Sequence, residues 1–131
     1  MNLSQLMRQN VIQVDVVEYA PSERIVDENG APMVWKLRPL TTDELTNIAE
    51  KYESDRKRVT QESVLASLVE PSRADFENGE LQDSWGAYSP VDLLNKMLLP
   101  GELVRLDAKI QSISGFDDEY ITKMANKIKK K

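Results

Sequence analysis

The amino-acid sequence predicts an α+β fold, in which a small N-terminal antiparallel β-meander or hairpin is followed by about five α-helices. Two observations indicate this class. Before Pro39 the apolar residues alternate with polar ones, which is the period of a half-buried strand. After Pro39 the apolar residues recur every three or four positions, and polar capping residues precede several of these segments, as is typical of amphipathic helices.

Three short strands are predicted in the first part of the chain. They cover residues 12–19, 24–27 and 33–38. Asn29-Gly30 suits a type I′ hairpin turn, because glycine adopts a positive φ angle at little cost. Residues 1–11 form either a short helix or a frayed terminus. The meander has one apolar face, and the later helices are expected to cover it.

Helices are predicted over most of the remaining chain. They cover residues 42–53, 60–69, 90–99, 102–114 and 118–131, and a short helix carries Leu81. Residues 54–58 are predicted to be a charged connector with three basic side chains, and residues 72–79 a polar loop or turn. Gly86 and Gly115 are placed to end helices, the latter in a left-handed conformation.

Capping residues define several of these helix ends. Thr41 and Glu44 have the spacing of a capping box, in which each side chain bonds the other residue's backbone N–H. Ser89 supplies an N-cap oxygen, and Pro90 occupies the first helical position, where a missing N–H costs nothing. Pro100 is predicted to end the helix that begins at Pro90.

Composition excludes several classes of function. A length of 131 residues suits one domain spanning 1–131, and 40% hydrophobic with 30% charged residues is typical of a globular protein. The absence of cysteine excludes disulfides and thiolate catalysis, and the absence of histidine removes the commonest general base. No apolar run could cross a bilayer and no leader is present, so we expect a cytoplasmic protein without a membrane partner.

Charge is distributed unevenly along the chain. Residues 121–131 carry five lysines and no acid, so the net charge of −5 leaves −10 on the remaining residues. Such an acidic body argues against nucleic-acid binding, which needs a clustered basic face. We interpret the basic segment as a solvated C-terminal helix end that suits the helix dipole, in preference to a phosphate-binding site.

No group of residues indicates catalysis or a cofactor. The acids of residues 117–119 lie where a helix N-terminus attracts carboxylates, and residues 27–30 lack the ligand spacing of a calcium loop. No glycine-rich phosphate loop occurs, and no serine lies in the sequence motif of a catalytic nucleophile.

Trp35 is predicted to be a core residue. Trp85 is either a core residue wedged between helices, the favoured interpretation, or an interface anchor.

Three ordered stretches resemble a known family. They are WKLRPLTTDEL (Trp35–Leu45), VLASLVEP (Val64–Pro71) and LQDSWGAYSPVDLLNKMLLPGE (Leu81–Glu102). Each stretch alone contains residues that commonly begin or end helices in any protein. The feature that is specific to a family is the order and spacing of the three stretches. In this respect the chain resembles the XkdN-like family of phage tail assembly chaperones, found in long-tailed phages and prophages of Gram-positive bacteria. The resemblance covers about residues 12–120.

The resemblance implies a non-catalytic role without metal or cofactor. Such proteins keep the coiled-coil tape-measure protein soluble while tail-tube subunits polymerise around it, and they are absent from the finished virion. The implied partners are therefore the tape-measure protein and the tail-tube protein, and self-association stays open. From arguments of exposure we expect the partner-binding residues to be Leu81, Trp85, Tyr88, Ile121, Met124 and Ile128.

Two further expectations concern the gene and the rival functions. Members of such families are made in a short and a frameshifted longer form, so we predict a slippery A-rich run within the codons of residues 127–131. An ordinary basic helix end explains the same lysines.

The main alternative function is that of a small structural tail or connector component of the virion. A regulatory adaptor that acts on a host protein is a third possible function.

Overall fold

A computed structural model describes residues 1–13, 15–116 and 125–128. The strands are β1 (Val17–Tyr19), β2 (Trp35–Leu37) and β3 (Leu68–Glu70), and the α-helices are α1 (Thr42–Lys51), α2 (Arg56–Ser67), α3 (Gly79–Trp85), α4 (Pro90–Met97) and α5 (Pro100–Gln111). Short 3-10 turns cover Leu3–Leu6, Arg8–Asn10 and Asp75–Glu77, and a π-turn covers Ser112–Phe116. This architecture confirms the predicted α+β class.

The three strands form one antiparallel sheet in the order β1-β2-β3. Its third strand is β3, which follows α2, whereas the sequence had predicted a strand over residues 24–27. Residues 24–27 instead turn back in a tight hairpin with one isolated bridge, between Val26 and Pro32. Two backbone hydrogen bonds flank this bridge: the Asp27 N–H donates to the Ala31 carbonyl and the Met33 N–H donates to the Ile25 carbonyl, both at 2.8 Å. The predicted strand over 12–19 is also shorter, because only Val17–Tyr19 pairs with β2.

The predicted helix over residues 60–69 was wrong at both ends. It begins at Arg56, inside the predicted connector, because the Asp55 side chain accepts a hydrogen bond from the Arg58 backbone N–H at 3.0 Å. It ends at Ser67, because that residue is tied to the end of β2. The Arg38 backbone N–H donates to the Ser67 carbonyl at 2.9 Å, and the Ser67 hydroxyl donates to the Arg38 carbonyl at 2.6 Å.

Most of the predicted caps are present. Thr41 and Glu44 form the capping box of α1, Ser89 caps α4 with Pro90 in its first turn, and Gly86 ends α3 at a φ of 64°. The assignment of Pro100 was wrong. Pro100 begins α5, because its missing N–H suits the first turn, and α4 has already ended at Met97.

The core lies between the sheet and the helices. Trp35 is 1% exposed, as predicted, and meets the ring of Phe76 edge-on at 6.0 Å between centroids. Phe76 belongs to a 3-10 turn inside the stretch predicted as a polar loop, so one aromatic side chain anchors that loop. Other fully buried core residues are Leu37, Val64, Leu65, Leu93, Leu94, Leu106 and Ile110. None of the helices in the described part of the chain has the length and apolar character to cross a bilayer.

Candidate protein-binding surfaces

The predicted partner-binding residues of the central stretch surround the end of α3. Leu81 and Trp85 lie one helical turn apart, and Tyr88 follows in the connection to α4. Trp85 is 38% exposed and Tyr88 is 90% exposed, whereas Leu81 is half-buried and packs against the core. The Lys96 ammonium lies 5.4 Å from the Tyr88 ring centroid. We call Leu81, Trp85 and Tyr88 the α3 patch; its exposed part is aromatic.

The other three predicted residues come from the C-terminal part of the sequence. Ile128 is exposed, on a helical segment over residues 125–128. Ile121 and Met124 lie outside the described residues. The structure therefore brings Leu81, Trp85 and Tyr88 into one region and does not test whether the C-terminal residues belong to the same surface.

A second surface is an open groove between α2 and α5, with a volume of about 700 Å³. We call it the α2–α5 groove. Its lining residues are Arg56, Lys57, Thr60, Gln61, Asn95, Leu98, Pro100, Leu103, Val104 and Asp107. The volume lies within the range of about 300–1,000 Å³ that is common for binding pockets.

Helical spacing explains how two helices supply the groove. Positions 56, 57, 60 and 61 share one face of α2, and positions 100, 103, 104 and 107 share one face of α5. Val104 is 68% exposed although it is apolar. The Gln61 side-chain amide donates to the Asn95 side-chain oxygen at 2.9 Å and links α2 to α4 beside the groove.

The groove is lined by two basic residues and one acid. Arg56 and Lys57 are exposed in the first turn of α2, and within the described residues neither side chain makes an ion pair. Arg58, which follows, instead donates to the buried Glu62 at 3.1 Å. On the α5 side, burial raises the pKa of Asp107, and a hydrogen bond from the Gln111 amide opposes this shift.

A buried acid organises the junction of α4 and α5. The Glu102 carboxylate accepts hydrogen bonds from the Arg24 guanidinium at 2.5 Å and from the Leu99 backbone N–H at 2.8 Å. Arg24 also donates to the Met97 carbonyl at 2.9 Å. The bond from Arg24, with further bonds from Ser22 and Leu99, lowers the pKa of Glu102 to about 2. This cluster fixes the hairpin that follows β1 to the start of α5.

A second ion pair connects the sheet to α1. The Arg38 guanidinium donates to both oxygens of Glu44, at 2.9 and 2.5 Å. Glu44 also closes the capping box by accepting from the Thr41 backbone N–H at 3.0 Å. The Arg38 bond is the main cause that lowers the pKa of Glu44 to about 2. The polar residues of the first resembling stretch thus stabilise the fold.

The arrangement of ionisable groups suits binding and stability. Among the described residues the carboxylates with a lowered pKa are Glu44, Asp92 and Glu102, which lie in the first turn of a helix and accept backbone hydrogen bonds there. In the part of the chain that the structure describes, no three acidic side chains are grouped to hold a metal ion. The α3 patch and the α2–α5 groove both combine exposed apolar side chains with nearby basic ones.

The class of protein is a phage tail assembly chaperone. Residues 3–129 match the family described as phage XkdN-like tail assembly chaperone protein, and the chain belongs to that family. It is similar to the phage-like element PBSX protein XkdN of Bacillus subtilis (strain 168), with 23% identity over 132 residues that cover 90% of this chain and 87% of that protein. It is also similar to the crystal structure of the protein YqbN, with a TM-score of 0.76 and 26% identity over 89% of this chain and 98% of that one. The resemblance inferred from the sequence is confirmed.

Sequence reasoning missed the α2–α5 groove, although two signals were present. Val104 falls outside the apolar stripe of α5 that Leu106 and Ile110 define, so its exposure could have been expected. The three consecutive bases from Arg56 were assigned to a connector, and their place in the first turn of a helix was not recognised.

Proposed function

We propose that this protein is a cytoplasmic chaperone that binds the tape-measure protein, together with tail-tube subunits, during phage tail assembly. The observation that carries the proposal is its membership of the tail assembly chaperone family over nearly the whole chain. In this proposal residues 1–131 act as a single domain, and the chain binds its partners without catalysing a reaction.

A physical argument supports this role. A long helical protein with a continuous apolar stripe aggregates when it is made before its partners, because exposed apolar area drives association. A small protein with exposed apolar surface can cover such a stripe reversibly and is displaced when a larger interface forms. The α3 patch and the α2–α5 groove both supply apolar surface of this kind.

Co-expression with the tape-measure protein of the same genetic element tests the proposal. We expect the wild-type chain to keep the tape-measure protein in the soluble fraction and to be captured with it. Tail-tube protein added to the co-expression should join or displace this complex. A tape-measure protein that stays insoluble and uncaptured in the presence of the wild-type chain would overturn the proposal.

The α3 patch is tested by a double variant, Trp85→Ala with Tyr88→Ala. If the patch binds the partner, we expect capture of the tape-measure protein to fall by about tenfold, the effect of losing a good aromatic anchor. Val34→Ala is a matched control, because Val34 is also half-exposed but lies outside the α3 patch, in the segment just before β2. Equal capture by both variants would remove the α3 patch, including Leu81, from the proposal. The proposed contribution of Ile121, Met124 and Ile128 is tested in the same way.

The composition of purified virions separates a chaperone from a structural tail component. We expect mass spectrometry of purified particles to find the tape-measure and tail-tube proteins but not this chain. A fixed copy number of this chain in the particles would establish the structural role instead.

A longer, frameshifted product is part of the proposal. Its support is the run of lysines in residues 127–131, whose codons are rich in A. We expect the gene to contain a slippery run there with an overlapping reading frame behind it. Nucleotide sequencing and an immunoblot against the N-terminal part of the chain measure this directly; one product and no overlapping frame would contradict it.

A further inference from the structure

We propose that the α2–α5 groove binds one amphipathic helix of the tape-measure protein, with an acidic flank of that helix against Arg56 and Lys57. The proposal rests on the proposed function for the identity of the partner. It adds the surface that is used and the chemistry of the segment that is recognised.

The shape and lining of the groove suit the apolar face of a helix. The α2 side of the groove is polar and basic, and the apolar lining residues, Leu98, Pro100, Leu103 and Val104, lie on α5 and just before it. Leu98 is buried and Leu103 is half-buried, so the apolar surface continues from the core outward to the exposed Val104. A helix-in-groove complex needs such a continuous strip, into which side chains at i, i+3 or i+4, and i+7 can insert.

Charge selects an acidic flank for the bound helix. The residues before 121 carry a net charge of −10, so most of this surface repels acids. Arg56 and Lys57 are exposed at the groove rim, and within the described residues neither is paired with an acid. An acidic side chain bound there gains an ion-pair partner without displacing an existing one.

The position of these bases in α2 supports the same conclusion. α1, α4 and α5 each have acids in the first turn, which the helix dipole favours, whereas the first turn of α2 has none. The Asp55 carboxylate caps this end by accepting from the Arg58 N–H, so the positive charge at the rim comes from the side chains of Arg56 and Lys57. A basic segment, such as the lysine-rich residues 123–131 of this chain or of a second copy, is disfavoured at the same rim.

Two groove variants and two matched controls test the proposal in the full-length chain. The groove variants are Arg56→Glu with Lys57→Glu, and Val104→Glu. The controls are Arg105→Glu, an exposed charge reversal on α5 outside the groove, and Val34→Glu, an exposed apolar-to-acidic change just before β2. We expect each groove variant to bind the tape-measure protein about tenfold more weakly, and the controls to stay within about twofold of wild type. Circular dichroism and thermal unfolding establish that all four are folded.

Photo-crosslinking identifies the occupant directly. With a photo-reactive residue at position 104, we expect crosslinks to a helical tape-measure segment that carries Asp or Glu beside its apolar stripe. Wild-type binding should also weaken as salt is raised, and this dependence should shrink in the Arg56→Glu, Lys57→Glu variant.

The possible failures are distinguishable. If the wild-type chain and both groove variants capture the tape-measure protein equally, the groove is overturned and the proposed function stands. Crosslinks from position 104 to a second copy of this chain, or to tail-tube protein alone, would also overturn the assigned occupant. No capture by the wild-type chain would overturn the proposed function and, with it, this occupant.

Discussion

The first turns of α5 and α2 carry charged side chains of opposite sign, buried and paired in α5 but exposed and unpaired among the described residues in α2. In α5 the acid Glu102 is 6% exposed, caps the helix and is bound by Arg24. In α2 the bases Arg56 and Lys57 are exposed and lack an ion-pair partner within the described residues. Glu102 belongs to one of the three stretches that carry the family resemblance, whereas the two bases lie between those stretches. The recognisable stretches therefore include residues that hold this fold together, such as Glu102, whereas the two basic residues of the α2–α5 groove lie outside those stretches.

Removing the acid at the start of α5 should give the largest effect on stability. In Glu102→Ala the Ser22 hydroxyl and the Leu99 N–H lose this acceptor, and the Arg24 guanidinium keeps only its bond to the Met97 carbonyl. We expect the free energy of unfolding to fall by roughly 2–3 kcal/mol, measured by urea denaturation. Glu102→Gln keeps one acceptor oxygen and should cost less. A loss under about 0.5 kcal/mol in the alanine variant would show that the junction does not depend on this acid.

Acid should destabilise the protein through the same region. The pKa of Glu102 and that of Glu44 are about 2 in the folded protein, below the ordinary value of 4.5. The unfolded chain therefore binds protons at a higher pH than the folded chain does. Their contribution is fully present above about pH 4.5 and is lost as the pH falls toward 2. With solvent screening of the half-exposed Arg24 and Arg38, we expect on the order of 1 kcal/mol from each pair.

Thermal unfolding at pH 7, 4 and 3 measures this loss. Glu102→Gln is the control, because it cannot titrate and should flatten the decline below pH 4.5. If the melting temperature of Glu102→Gln falls with pH as steeply as that of the wild type, groups other than Glu102 cause the acid sensitivity.

The cap of α1 should contribute less than the buried acid of α5. In Thr41→Ala the Glu44 backbone N–H loses its 3.2 Å bond to the threonine hydroxyl. We expect a destabilisation of about 1 kcal/mol, typical of an N-cap, in a urea titration. Thr41→Ser keeps the hydroxyl and should behave like wild type. If serine and alanine have the same effect, the lost methyl group rather than the cap is responsible.

Reversing the charges at the start of α2 should have the smallest effect on stability, and of opposite sign. Acids suit a helix N-terminus, so Arg56→Glu with Lys57→Glu should leave the free energy of unfolding unchanged or raise it by about 0.3–1 kcal/mol. Asp92→Lys, the converse change in the first turn of α4, should destabilise the protein in the same assay. A destabilised double variant would mean that the two bases hold the fold, as Glu102 does.

Local signals were sufficient for most of the secondary structure. The capping box at Thr41 and the Ser89-Pro90 pair located α1 and α4, and alternation located β2. The boundary between α2 and β3 was missed, because Leu68 and Val69 fit the helical period as well as a strand. Pairing with β2, some thirty residues earlier in the chain, decides between them, and this tertiary contact is invisible to a local pattern.

The candidate sites were less predictable than the fold. Trp85 is 38% exposed, so the favoured prediction of a core residue was wrong and the alternative of a surface residue fits; Tyr88 is also exposed, but Leu81 is half-buried. The α2–α5 groove depends on how two helices more than forty residues apart are placed against each other. That Val104 and Lys57 line one groove follows from this packing and not from either helix alone.

The two tryptophans also give the protein two distinct optical reporters. Trp35 is enclosed against Phe76, so its fluorescence should be emitted at short wavelength and be protected from iodide quenching. Trp85 is partly in water and should emit at longer wavelength and be quenched. A Trp85→Phe variant therefore isolates a signal for global unfolding. If iodide quenching changes in the wild type but not in this variant, the change comes from Trp85. It then reports a change in the exposure of the end of α3, without any added label.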